Sequence, residues 1–204
     1  IPNSVTSIGS SAFLGCTSLS GVTIPSGVTS IGDYAFKDCS GLTEINWYAE
    51  NVKDFSPYNV VFSNAGTAGD GIDIAFGDGV KSIPAYLFYG IGSNPYKTPK
   101  IKTITLGNGV TSIGISAFRN CTLVSSIVIP NGVTSIGSSA FNGCASLSSV
   151  TIPDGVTSIG HYTFMDCDKL KSITIPSSVK SVGKQAFDID SVNLYISDLS
   201  AWCN

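Results

Sequence analysis

The chain has 204 residues, of which 43% are hydrophobic and 12% charged, and a net charge of −3. That balance excludes a disordered segment, which cannot bury enough apolar surface to offset its ordering entropy. Its eleven basic residues lie scattered among fourteen acidic ones, so no basic stripe exists for nucleic acid. No apolar run reaches the roughly 18 residues of a membrane helix, so direct membrane insertion is not expected either.

The chain opens in mid-pattern at Ile1-Pro2, and nothing resembling a signal peptide precedes the pattern. The expectation is a mature or excised part of a longer protein. Val5, Val28, Val110, Val133, Val156 and Val179 recur in phase, each followed three residues later by Ile8, Ile31, Ile113, Ile136, Ile159 or Val182. Ala12-Phe13, Ala35-Phe36, Ala117-Phe118, Ala140-Phe141, Thr163-Phe164 and Ala186-Phe187 come next, and then Cys16, Cys39, Cys121, Cys144 and Cys167; the last unit has Asp190 instead. Each unit closes on an apolar triplet such as Leu19, Val22, Ile24 or Leu147, Val150, Ile152, which is the predicted strand. From Ile129 to Ile152 the period is 23 residues, which marks a solenoid whose units bury their apolar faces only by stacking.

The corners follow from local chemistry. Pro25-Ser26-Gly27 and Pro153-Asp154-Gly155 read as tight turns, with Pro at the φ-restrained position and Gly at the exit. The Gly after each Ile (Gly9, Gly32, Gly114, Gly137, Gly160, Gly183) is expected at a bend that a Cβ would resist. The A-F-x-x-C segment is too short for a stable helix and reads as a 3₁₀-like turn that drops Phe into the core.

Between Asn51 and Lys100 the pattern loosens without stopping. Val52, Phe55 and Phe62 hold the places of Val, Ile and Phe in a third unit, with Ile74 and Phe76 in its strand. Val80, Ile83, Leu87-Phe88, Ile101, Ile104 and Leu106 make a fourth, with Pro84 where Gly is usual. Extra residues at 63–71 and 92–100 are expected to emerge as surface loops. Residues 1–204 thus read as a single domain of about eight units, irregular near 49–106, with Leu199, Trp202 and Cys203 opening a further unit or a cap.

Few residues carry chemistry. Five of the six cysteines share one repeat position, which stacks them in a column too widely spaced for disulfides, so they read as small buried apolar side chains. Cys203 stands outside the pattern. His161, the single histidine, reads as an outer-turn surface residue, and no nucleophile elbow, phosphate loop or metal-type Cys pair occurs, so no enzyme activity, cofactor or metal is expected. The stretch Gly69-Asp70-Gly71-Ile72-Asp73 with Gly77-Asp78-Gly79 is similar to a calcium-binding nonapeptide repeat but occurs once, which favours ordinary turn and strand-edge roles. Asn120-Cys121-Thr122 matches the glycosylation sequon beside a cysteine expected to be buried.

The string V-T-S-I-G-x-x-A-F-x-x-C-x-x-L-x-x-V-x-I-P resembles the BspA-type leucine-rich repeat over essentially the whole chain. The resemblance implies a leucine-rich repeat solenoid: a right-handed superhelix of short parallel β-strands with turns, few or no long helices, and L-x-x-V-x-I on the concave face. It also implies a surface or secreted protein of host-associated bacteria or protists, linked to adhesion. On that sheet Thr23, Asn46, Ala75, Thr105, Val128, Thr151, Thr174 and Tyr195 point outward. Regular units are nearly interchangeable there, so specificity is expected from the irregular ones, where Trp47, Tyr48, Tyr58, Tyr89 and Tyr96 also cluster. Trp47 replaces a core Ile and reads as structural. The candidate contact residues for a protein or glycan ligand are Tyr96, Lys97, Lys100, Thr105 and Asn46. An extracellular monomeric binding module is the leading expectation, and a purely structural spacer the alternative.

Overall fold

The computed structural model describes residues 1–89, 98–187 and 193–196. Among these residues there is no helix, and every strand pairing is parallel. The short strands stack coil upon coil, which is the leucine-rich repeat solenoid.

Each regular coil has two strands where the sequence pattern gives one. The expected strand at the apolar triplet forms a long-strand face: β2 (Gly21–Ile24), β4 (Glu44–Trp47), β5 (Ile72–Phe76) and β7 (Ile101–Thr105) in one sheet, β9 (Ser126–Ile127) with β11 (Ser149–Val150), and β13 (Ser172–Ile175) with β15 (Asn193–Ile196). The V-T-S-I segment forms a second ladder. There β1 (Ser7–Ile8) pairs with β3 (Ser30–Ile31), and β6 (Ser82–Ile83), β8 (Ser112–Ile113), β10 (Ser135–Ile136), β12 (Ser158–Ile159) and β14 (Ser181–Val182) pair in succession. Two residues per rung are too few for an alternation to show in sequence. Equivalent residues face one another across each rung, Ser7 on Ser30 and Ile8 on Ile31, so one side chain in two enters the core.

The corner carrying A-F-x-x-C is not 3₁₀-like. Phe13 O accepts the Cys16 N–H at 3.1 Å, but the residue before each Ala is left-handed, as at Ser11 (φ 57°), Tyr34 (60°) and Ser139 (57°), and so are Gly15, Asp38, Asn120 and Gly143. A 3₁₀ segment needs an unbroken run of negative φ. The left-handed residues turn the next peptide outward, so the Phe N–H donates to the following coil: Phe13 to Ala35 O at 2.8 Å, Phe118 to Ala140 O at 3.0 Å. Those bonds offset the roughly 1–2 kcal/mol cost of each left-handed non-glycine residue.

Two turn expectations also change. The proline turn places Pro first, since Val28 N donates to Pro25 O at 3.1 Å and Val156 N to Pro153 O at 3.0 Å; Pro thus supplies the acceptor and ends the strand. The glycines after Ile do not need a positive φ. A Cβ on Gly137 would lie 2.6 Å from Ile115 N, and one on Gly32 2.4 Å from Ser10 N, whereas Gly9, in the first coil, has nothing within 4 Å. These glycines let neighbouring coils touch backbone to backbone.

The core is one cluster running from Ile8 to Phe187. Phe13, Phe36, Phe62, Phe88, Phe118, Phe141, Phe164 and Phe187 stack in order with ring centroids 5.0 to 6.2 Å apart. All but Phe13 are buried. In the third coil Ala65 takes the cysteine place, fully buried, and Asn64 (φ 60°) takes the left-handed place. The expected loop at 63–71 is therefore coil as far as Gly66, and only Thr67 to Asp70 are exposed. Of the stretch at 92–100 the described part, Thr98 to Lys100, also runs against the body of the solenoid, with Thr98 and Pro99 buried.

Candidate functional site

The outward positions of the long-strand face are where the sequence places them. Thr23, Ala75, Thr105, Val128, Thr151, Thr174 and Tyr195 are exposed, and Asn46 is half-buried. On β2, β4, β5 and β7 this row adjoins a second one, Gly21, Glu44, Asp73 and Thr103, held in register across the sheet. Two neighbouring depressions of about 380 and 360 Å³ lie here; Asn46 and Glu44 line both, and Asp73, Thr103 and Thr105 line the first. Asn46 Nδ2 donates to Glu44 Oε1 at 2.6 Å, and the Thr103 hydroxyl donates to Asp73 Oδ1 at 2.6 Å. Glu44 and Asp73 sit opposite each other in the ladder, a like-charge pairing that costs stability. The first depression is acidic and lined with hydrogen-bonding groups, unlike the Ser, Thr and Val that follow along the regular coils, whereas Ile1, Phe13, Leu19 and Val22 give the second an apolar side.

Of the candidate contact residues, the structure brings Asn46 and Thr105 together on this face. Lys100 lies elsewhere: its ammonium donates to Gly69 O at 2.6 Å and its N–H to Ala65 O at 3.0 Å, tying the second irregular stretch to the first. Tyr96 and Lys97 lie outside the described residues, as do Asp190, Leu199, Trp202 and Cys203. Glu44 and Asp73 follow each other in the strand register of the sequence despite their 29-residue separation, and the ladder pairs them so; what the register does not give is the hydrogen bonds that Asn46 and Thr103 make to their carboxylates. Sequence reasoning missed Arg119, whose guanidinium lies 5.4 Å from the Tyr89 ring centre, with Tyr86 edge-on to Tyr89 at 5.6 Å.

The other singled-out side chains have structural partners. Trp47 is fully buried and its Nε1 donates to Ala49 O at 3.0 Å. His161 is exposed, as expected, and its Nδ1 also accepts the Lys184 N–H at 2.7 Å. Asp73 is engaged by Thr103, and Asp78 Oδ1 accepts the Asn108 N–H at 2.7 Å. Among the described residues no three His, Cys, Asp or Glu side chains gather as a metal shell, and no helix is long and apolar enough to cross a membrane. Four of the column cysteines are buried. Cys39, Cys144 and Cys167 donate their thiols to Phe13, Phe118 and Phe141 carbonyls at 3.0, 3.3 and 3.3 Å. Burial pushes the Cys39 thiol up to about 11 and that of Cys167 up to about 12, and it raises Cys121 and Cys144 as well. Cys16 departs from the column expectation: it is exposed.

A family model for the BspA-type leucine-rich repeat region, in six copies, matches residues 1–93 and 90–196. The chain belongs to the BspA-type leucine-rich repeat family. A search of curated proteins gives no match. Among solved structures, this BspA-type chain is similar to a leucine-rich repeat protein of T. pallidum, with 28% identity, a TM-score of 0.57, and coverage of 90% of this chain and 71% of that one. It is also similar to a leucine-rich cell surface protein of Faecalibacterium prausnitzii, with 29% identity, a TM-score of 0.53, and coverage of 97% of this chain and 59% of the other. The chain therefore spans less than two thirds of the length of that second protein.

Proposed function

We propose that this chain is a non-catalytic binding module of a cell-surface or secreted protein, in which residues 1–204 act as one solenoid and the partner is a protein or glycan. The observation that carries the reading is the acidic, Thr-lined depression on β4, β5 and β7, lined by Glu44, Asn46, Asp73, Thr103 and Thr105. Its strands β5 and β7 belong to the irregular coils and β4 adjoins them, so the patch lies where the units differ most in length, and specificity needs local difference. Its carboxylates are matched by a partner that presents hydrogen-bond donors. Tyr96, Lys97 and Lys100, of the second irregular stretch of the sequence, are proposed as a separate contact. Support for the surface location comes from the family and from the F. prausnitzii neighbour, which is a cell surface protein.

The test is a binding screen of the purified chain against arrays of extracellular proteins and glycans, repeated with Asn46→Ala/Thr105→Lys and with a Tyr96→Ala/Lys97→Ala variant. The expected result is a partner whose affinity falls at least tenfold with the first variant while the melting temperature holds. A partner that binds both variants as well as the wild type removes these residues from the contact. Silence across the arrays supports the spacer instead.

A further inference from the structure

The near-even charge balance of the chain hides a segregation along it. Between Asp78 and Asp154 the sequence holds no Asp or Glu, while Lys81, Lys97, Lys100, Lys102 and Arg119 all fall there. Arg119 is the single arginine of the chain, and it stands at the A-F-x-x-C corner directly after Phe118. Its guanidinium lies over the Tyr89 ring, 5.4 Å from the centre, and Tyr86 meets Tyr89 edge-on at 5.6 Å. Tyr86 N donates to Ile115 O at 2.8 Å, which brings Ile115, an exposed apolar side chain, to the same corner. Among the described residues Arg119 makes no ion pair, and its Nε is buried without a hydrogen-bond partner.

The second coil shows the same position complete. Lys37 follows Phe36 as Arg119 follows Phe118, and its ammonium lies 5.4 Å from the Tyr34 ring centre and 3.8 Å from an Asp38 carboxylate oxygen. In the fifth coil the residue after the cation is Asn120, so the aromatic half of the arrangement is present and the carboxylate half is missing. Asp54, which reaches the fourth coil from the third, is engaged by the Ala85 N–H at 2.8 Å. We infer that Arg119, Tyr86, Tyr89 and Ile115 form a docking site for an acidic segment of another protein, with an Asp or Glu carboxylate on the guanidinium and an apolar side chain against Ile115. A guanidinium laid on an aromatic ring keeps its planar edge free for a two-pronged bond to a carboxylate, and Tyr and Arg concentrate binding energy at protein interfaces. A sugar ring stacks on an open aromatic face, and Arg119 covers the face of Tyr89. An extended polyanion needs several cations in line, whereas Lys102 belongs to β7 and Lys100 is tied to Gly69 O. The site does not rest on the long-strand patch, and its charge is opposite.

The experiment selects short random peptides displayed on phage against the immobilised full chain, and titrates the enriched peptides by fluorescence anisotropy at low and high salt. The expected result is enrichment of sequences that pair Asp or Glu with an apolar residue, bound more weakly as salt rises. Their affinity should fall about tenfold in Arg119→Gln and hold in Asn46→Ala/Thr105→Lys, which alters the long-strand patch alone. Arg119→Lys should also weaken binding: it keeps the charge and most of the stem on Tyr89, so it separates a lost carboxylate contact from a lost fold. Selection that enriches no acidic sequence, or acidic peptides that bind Arg119→Gln as well as the wild type, would overturn the inference. Uronate- or sialate-bearing oligosaccharides that displace the peptides and fail to bind Arg119→Gln would also overturn it, and would assign the corner to an acidic glycan.

Discussion

Truncating Phe141 to Ala tests whether the ring column holds the coils together. Phe141 is fully buried, with Phe118 at 5.6 Å on one side and Phe164 at 5.5 Å on the other. Removing the ring forfeits its transfer from water, about 1.5–3 kcal/mol, and two stacking contacts of about 0.5–1.5 kcal/mol each. The gap cannot close readily, because Phe118 N donates to Ala140 O and Phe141 N to Thr163 O, both at 3.0 Å, which pins the coils at their spacing. The expected loss is therefore about 3–5 kcal/mol, the range of fully buried Phe→Ala changes. Phe13, partly exposed and stacked on one side only, is the internal control, with an expected loss of about 1–2 kcal/mol. Urea unfolding followed by far-UV circular dichroism measures both. Equal losses at the two sites, or a Phe141→Ala loss below about 1 kcal/mol, would show that the stacking is incidental to stability.

The glycine reading predicts that Gly137→Ala destabilises by about 1–3 kcal/mol, because its Cβ would strike the Ile115 backbone, while Gly9→Ala stays within about 0.5 kcal/mol. Comparable losses at both, measured by the same unfolding, would return the explanation to backbone conformation. Among Cys16, Cys39, Cys121, Cys144 and Cys167, native thiol labelling should be fast at Cys16 alone, and the other four should label only on unfolding, as mapped by mass spectrometry. The buried thiols keep their protons in the folded state while the unfolded chain loses them above about pH 8.5–9. Their contribution is therefore intact below that pH, and stability falls as pH rises toward about 11, by about 1.4 kcal/mol per pH unit for each thiol that stays protonated. A Cys39→Ala/Cys144→Ala variant should flatten that alkaline slope, and an unchanged slope would show that other groups set it.

What the sequence reveals depends on whether a feature repeats with a side chain attached. The Phe and Cys columns are visible because the regular coils fill each position with one residue type at one spacing, and the structure stacks them as read. Ala65 is hidden because it stands where the regular coils have Cys, so coil reads as insertion although Asn64 beside it matches Asn120. The left-handed positions are harder still: Ser11, Tyr34, Tyr86, Ser116 and Gln185 share a backbone conformation but no side-chain chemistry. For the binding face, Asn46, Thr105 and the Glu44–Asp73 opposition follow from strand alternation and register, but the depression they line depends on how the strands and their side chains meet and exists only in three dimensions.

The corner bonds described above have a further property when followed from coil to coil. Phe118 N donates to Ala140 O; the same peptide group then donates through Phe141 N to Thr163 O, and that next group donates through Phe164 N to Ala186 O. The amides are thus wired in series along the solenoid axis, beside the phenylalanine rings, much as they are along a helix. Hydrogen bonds in series polarise one another, so each link strengthens the links on either side. A coil in mid-array is held more firmly at this corner than a terminal one with identical side chains. A residue without an N–H, such as Pro at Phe141, would therefore break a conductor shared by several coils, and its cost would spread to neighbours whose own contacts are untouched.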